Sequence, residues 1–92
     1  MDINEAKKIE LLLYGESYSV ISDEPQAKVL EIAKQVDELM RLIARRTGLS
    51  DVKKIAVLTA LKLATSKHKL EEQAANYKSI CEQLVNAVSN SL

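Results

Sequence analysis

Residues 45–52 read Arg-Arg-Thr-Gly-Leu-Ser-Asp-Val, and this stretch divides the chain into two helical segments. Arg45 and Arg46 suit the last turn of a helix, where positive side chains interact favourably with the helix dipole. Gly48 follows, and a glycine in the left-handed conformation commonly ends a helix. The sequence Ser-Asp-Val-Lys at residues 50–53 then starts a second helix. We therefore predict two helices joined by a short turn.

The segment before this junction predicts a helix over residues 24–46. Ser22 or Asp23 is expected to cap it, and Pro25 is expected in its first turn, where the missing N–H has no helical partner. Apolar residues recur along the segment at helical spacing, namely Val29, Ile32, Ala33, Val36, Leu39, Met40 and Ile43. This spacing predicts one buried face.

Further towards the N-terminus, residues 7–22 alternate between apolar and polar side chains. Ile9, Leu11 and Leu13 share one face of a strand, and Tyr18 and Val20 repeat the alternation. Gly15 and Glu16 lie between the two segments, which predicts a β-hairpin with a tight turn over residues 7–22. A two-stranded ribbon is marginal in water, so it must pack on helices or extend another sheet.

The segment after the junction contains no glycine or proline in its 42 residues, 51–92, and predicts one long helix. Residues 55–63 are apolar around most of the helix and should pack against Val36, Met40 and Ile43 of the same chain and a partner chain. A seven-residue repeat follows, and such a repeat is typical of a left-handed coiled coil. We predict oligomer contacts at Leu58, Leu61, Leu63, Leu70, Tyr77 and Leu84.

These elements predict an α+β fold that is mostly helical. The order is ββαα, with an N-terminal β-hairpin, a first helix, and a long second helix that ends in a coiled coil. We expect a head domain at residues 1–66, holding the hairpin 7–22, the helix 24–46 and the start of the second helix. A coiled-coil tail is expected at residues 67–92.

The formal net charge of zero conceals a segregation of charge along the chain. Residues 1–40 carry nine acidic and four basic side chains, a balance of −5, whereas residues 41–69 carry eight basic and one acidic, a balance of +7. Such asymmetry can mark a surface that meets an acidic partner. From charge alone we predict partner contacts at Arg41, Arg45, Arg46 and Lys53. A solvated face that offsets carboxylates of neighbouring subunits is the open alternative.

Motifs of catalysis and of cofactor or metal binding are missing from the sequence. The chain has one cysteine, Cys81, and one histidine, His68, so it offers no metal-ligand spacing. Asp37 and Glu38 are adjacent carboxylates that diverge by about 100° on a helix and do not form a dyad. No segment approaches the ~20 apolar residues of a membrane span. We therefore expect a cytoplasmic protein that is not an enzyme and needs no cofactor or metal.

The order of these features resembles the ZapA family of small bacterial cell-division proteins. The resemblance rests on the hairpin at residues 9–20 with its Tyr14-Gly15 turn, on Val-Asp-Glu-Leu-Met-Arg-x-Ile at residues 36–43, and on Ile-Ala-Val-Leu-Thr-Ala-Leu at residues 55–61. It extends over most of the chain, about residues 7–70.

The resemblance implies a scaffold that acts in the cytoplasm at the division site. Members of the family dimerise through their heads, and the dimers pair into tetramers through their tails. They bind filaments of the tubulin-like GTPase FtsZ and cross-link them, using charged residues of the hairpin turn and the interhelical loop. Arg46 and Thr47 fit this pattern, whereas Glu16, Ser19, Gly48 and Lys53 depart from it.

Two other functions remain open at this stage. The chain could be a helical oligomeric adaptor for another acidic partner, or a nucleic-acid-binding protein that uses the basic stretch 41–69. Nucleic acid is disfavoured because the acidic N-terminal half would repel phosphates. The second helix is also apolar all round at residues 55–63, where a recognition helix needs an exposed polar face.

Overall fold

The computed structural model describes the backbone of residues 6–91 and the side chains of residues 6–90. The elements follow the order β1 (Lys7–Leu13), β2 (Glu16–Ser22), α1 (Gln26–Thr47) and α2 (Val52–Ser91). This order confirms the predicted ββαα, mostly helical fold. The chain divides into two compact units, Met1–Thr59 and Ala60–Leu92. The boundary that we predicted between residues 66 and 67 stays a prediction.

The hairpin pairs β1 with β2 in an antiparallel register that places Ile9 opposite Val20 and Leu11 opposite Tyr18. Directly opposed residues share a face of the sheet, so the predicted apolar face is confirmed. The turn differs by one residue from the alternation-based prediction. Leu13 pairs with Glu16, and the loop consists of Tyr14 and Gly15 rather than Gly15 and Glu16. The apolar run of residues 11–14 ends at Tyr14 in sequence, but a left-handed backbone at that residue places it in the turn rather than in the strand.

The predicted caps at the start of α1 are wrong. Pro25 occupies the N-cap position with an extended backbone, and no side chain caps the helix there. The Ser22 hydroxyl instead accepts a hydrogen bond from the Glu24 N–H at 3.0 Å, which closes the turn before the helix. Pro25 supplies its carbonyl to the N–H groups of Lys28 and Val29. The restricted backbone of proline therefore starts α1 without a side-chain cap.

The junction between the helices follows the prediction. Gly48 adopts the left-handed conformation at φ 73°, and its N–H bonds to the Ala44 carbonyl at 2.9 Å. The Asp51 carboxylate accepts a hydrogen bond from the Lys53 N–H at 3.0 Å and so caps α2. Each helix end at the junction thus has its own hydrogen-bonded cap.

The core of the first unit is small and draws on three elements. Its buried apolar side chains are Ile9 of β1, Ala33 and Met40 of α1, and Ile55 of α2, which is completely buried. Among the elements of the described chain, β1 rather than β2 lies against α1. The buried Thr59 donates a hydrogen bond to the Ile55 carbonyl at 2.8 Å, so its hydroxyl is satisfied inside the helix. The hairpin therefore contacts α1 through one strand only.

A single copy of the chain leaves most of the apolar run at residues 55–63 uncovered. Val57 is 55% exposed and Leu61 is 58% exposed. Of that run, only Ile55 and Thr59 are buried. The predicted burial on several sides therefore requires a partner chain.

In the second unit, the described side chains are exposed apart from the half-buried Ser66 and Cys81. Leu70, Tyr77 and Leu84 each expose more than half of their surface, and Ile80 and Val85 do so as well. No helix of the described residues is long and apolar enough to cross a membrane.

Candidate partner-binding site

Four cationic side chains surround the junction of the two helices. Arg45 and Arg46 lie in the last turn of α1, and Lys53 and Lys54 lie in the first turn of α2. All four are exposed. Within the described residues, none of them forms an ion pair. We call these four residues the basic face.

Hydrogen bonds fix the loop that carries the basic face. The Thr47 hydroxyl donates to the Ile43 carbonyl at 2.7 Å and accepts from the Leu49 N–H at 3.2 Å. With the Gly48 and Asp51 caps on either side, the short connection has few ways to move. The sequence predicted Thr47 as a contact residue, and the structure shows its hydroxyl engaged with backbone groups of its own chain.

A shallow apolar groove adjoins the basic face. Leu49, Val57 and Leu58 line it together with the side chains of Lys53 and Lys54. Long lysine side chains cover apolar surface with their methylene groups while keeping the ammonium group in water. The groove and its two lysines therefore suit a partner that offers carboxylates beside an apolar side chain. Lys54 was outside the predicted contact set, although its place in the first turn of α2 is readable from the sequence.

Arg41 differs from the four residues of the basic face because its charge is already paired. Its Nε donates to an Asp37 carboxylate oxygen at 2.9 Å, and its guanidinium carbon lies 5.3 Å from the centroid of the Tyr14 ring. The hydrogen bond from Arg41, followed by the Tyr14 N–H, lowers the pKa of Asp37, and the same carboxylate raises the pKa of Arg41. A guanidinium engaged twice within its own chain has less free charge to offer a partner.

Asp37 is a residue that the sequence reasoning passed over. Its Oδ1 accepts a hydrogen bond from the Tyr14 N–H at 2.6 Å, which joins the hairpin turn to α1 across 23 positions of sequence. The spacing of Asp37 and Arg41, four residues apart on a helix, was a readable signal for their ion pair. Nothing in the sequence indicates the bond to Tyr14.

The predicted oligomer residues do not form one cluster within a single chain. Leu58 is half-buried in the first unit, while Leu61 and Leu63 are exposed. Leu70, Tyr77 and Leu84 follow on the exposed stripe of α2. Their roles in assembly stay predictions.

Two pairs of oppositely charged or ionisable groups lie on the surface of α2. Lys67 pairs with Glu71 at 2.6 Å, and the His68 imidazole lies 3.4 Å from a Glu72 carboxylate oxygen. Exposed pairs of this kind contribute at most about 1 kcal/mol to stability. Among the described residues, no group of three or more His, Cys, Asp or Glu side chains is placed to hold a metal ion.

Comparison with protein families gives one match over most of the chain. The family model described as "Cell division protein ZapA" matches residues 9–92. A cell division protein ZapA of Geobacillus kaustophilus is 32% identical over 77 residues, which cover 84% of this chain and 81% of that protein. A ZapA of Shouchella clausii is 36% identical over 70 residues, covering 76% of this chain and 90% of the relative.

A solved structure matches the fold as well as the sequence. It is described as a ZapA mutant dimer from Geobacillus stearothermophilus, and it is 31% identical to this chain with a TM-score of 0.68. The alignment covers 91% of this chain and 94% of the other. The similarity therefore extends over the hairpin and both helices.

Proposed function

This chain belongs to the ZapA family of cell division proteins, and we propose that it is a scaffold without catalytic activity that binds FtsZ filaments and cross-links them. Family membership supports a role in division at the Z-ring. The observation that carries the finer proposal is the basic face, whose four exposed cations have no ion pairs within the described residues. Unpaired cations on two helix ends that are joined by a hydrogen-bonded loop suit the carboxylates of an acidic filament.

Cross-linking requires at least two such faces on one particle. We propose that the chain forms a homodimer through its first unit and a tetramer through the exposed stripe of α2. The dimeric state of the solved relative supports the first step. The exposed apolar side chains of α2 support the second, because apolar patches of this extent favour association. Symmetric assembly repeats the basic face, and several weak contacts then bind a filament tightly.

The proposal is tested by charge reversal on the basic face. Co-sedimentation with polymerised FtsZ is measured for Arg46→Glu, Lys53→Glu and the double variant over a series of salt concentrations. We expect the double variant to bind filaments about tenfold or more weakly, because charges at the edge of an interface act on association and its salt dependence. Binding by the unsubstituted protein should weaken as salt screens the contact.

Lys34→Glu is the matched control. Lys34 is an exposed cation of α1 that lies outside the basic face and has no ion pair within the described residues, so its reversal changes the net charge by the same amount as either single variant. Light scattering should give the same particle mass for all variants. If Arg46→Glu, Lys53→Glu and Lys34→Glu all bind filaments equally well at every salt concentration, the basic face is not the contact. A DNA shift by the unsubstituted protein that the double variant loses, without filament binding by either, would instead favour the nucleic-acid alternative.

A further inference from the structure

The tip of the hairpin has a strained backbone. Tyr14 has φ 49° and Gly15 has φ 83°, and Tyr14 is the only non-glycine residue with positive φ in the described chain. Two-residue hairpin turns with both central residues in this region favour asparagine, aspartate or glycine. A bulky aromatic residue there is unfavourable and persists only when its surroundings hold it.

The surroundings of Tyr14 are supplied by α1. In a two-residue turn the strand ladder uses the flanking residues, here Leu13 and Glu16, so the Tyr14 N–H has no partner in the sheet. Asp37 accepts that N–H at 2.6 Å through one carboxylate oxygen and binds Arg41 through the other at 2.9 Å. The Arg41 guanidinium also lies against the Tyr14 ring. Three residues thus form a closed set of contacts, which we call the clasp.

The clasp also fixes where the tip lies on α1. Arg41 and Arg45 are four residues apart, so they lie on the same side of the helix in successive turns. The tip, bound at Asp37 and Arg41, is therefore one helical turn from the basic face. Gly15, Glu16 and Ser17 at the tip are exposed and accessible to a partner.

We propose that Asp37 is a positioning residue, which with Arg41 clasps the hairpin tip to α1 and so holds the tip beside the basic face, where one filament can contact both. This inference rests on the function proposed above. A tip that is already ordered loses less conformational freedom when a filament binds, which strengthens the contact. Asp37 acts through Tyr14 and Arg41 and need not touch the filament.

The test compares Asp37→Ala with Glu38→Ala in the full chain. Both substitutions remove one negative charge from adjacent positions of α1, but Glu38 is exposed and has no ion pair within the described residues. If charge alone governed binding, both variants would bind an acidic filament slightly more tightly. We expect Glu38→Ala to do so and Asp37→Ala to bind FtsZ filaments about tenfold more weakly despite its added positive charge.

Hydrogen exchange followed by nuclear magnetic resonance tests the clasp without any measurement of filament binding. In Asp37→Ala, hydrogen exchange at the Tyr14 amide should accelerate by about tenfold or more, since its acceptor is gone. Exchange at Ile9 and Val20, in the middle of the ladder, should not change in either variant. Asp37→Asn keeps the side-chain size and one acceptor oxygen, so exchange at the Tyr14 amide should accelerate less than in Asp37→Ala. This second variant keeps the test valid if the alanine variant folds poorly.

The outcomes separate this inference from the proposed function. Unchanged exchange at Tyr14 in Asp37→Ala overturns the clasp. Faster exchange with filament binding equal to that of Glu38→Ala overturns the positioning role while the proposed function stands. If the unsubstituted protein does not bind filaments at all, the proposed function fails and the positioning role falls with it.

Discussion

The two units of the molecule differ in whether their apolar side chains are buried or exposed. In Met1–Thr59, Ile9, Met40 and Ile55 are each buried. In Ala60–Leu92, Leu70 is 65% exposed and Tyr77 is 72% exposed. Isolated helices are marginal in water, and most helical stability in proteins comes from packing an apolar face. The first unit therefore has buried apolar side chains of its own, whereas the apolar side chains of the second are exposed in a single copy of the chain.

The substitution with the largest expected effect tests whether the second unit depends on a partner chain. Leu84→Asp would place a charge in the predicted seam, at a cost of several kcal/mol per interface. We expect the assembly to fall by one step, from tetramer to dimer, with the helix content of the first unit kept. Light scattering and circular dichroism measure the two quantities.

Gln83→Asp is the matched control for this substitution. It adds the same charge at the neighbouring exposed and already polar position, and it should leave the particle mass unchanged. A Leu84→Asp protein with the same mass as the unsubstituted protein would show that the stripe is not the interface.

The second prediction sharpens the contrast within α2 by comparing Ile55→Ala with Leu61→Ala. Ile55 is completely buried in one chain, so its truncation should cost about 2–5 kcal/mol and lower the melting temperature at every protein concentration. Leu61 is 58% exposed, so its truncation should cost stability only where assembly covers it. Thermal melting over a hundredfold dilution series separates the two. Equal decreases in melting temperature for Ile55→Ala and Leu61→Ala at all protein concentrations would contradict this difference between the two residues.

Local sequence signals predicted the elements but not how they are held together. Gly48 and the apolar alternation around Ile9 indicated the helix junction and the hairpin correctly, because both depend on neighbouring residues. Pro25 at the N-cap was missed because the hydroxyl of Ser22 binds the turn rather than the helix. Thr59 lies in the apolar run that was predicted to pack, but the sequence does not show that its hydroxyl bonds to the Ile55 carbonyl there.

The candidate site was also predictable only in part, because the sequence shows features that depend on neighbouring residues but not contacts between distant ones. The charge excess of residues 41–69 indicated the basic face, since charge is a property of composition. The sequence did not predict all of the contacts that engage the Arg41 charge within its own chain. The contact with the Tyr14 ring joins residues that lie 27 positions apart in the sequence. A left-handed aromatic residue is rare enough that no local pattern predicts it.

The smallest expected effect concerns how much the negative charge of Asp37 contributes to the stability of the first unit. The hydrogen bonds from Arg41 and the Tyr14 N–H lower the pKa of Asp37, so the folded state favours its carboxylate form. This contribution is fully present above the ordinary pKa of an aspartate and is lost as pH falls through the lowered value. Asp37→Asn cannot titrate, so the difference in melting temperature between the unsubstituted protein and Asp37→Asn should be constant near neutral pH and shrink in acid. A difference that stays constant into acid would show that the charge of the clasp carboxylate adds nothing to the stability of the first unit.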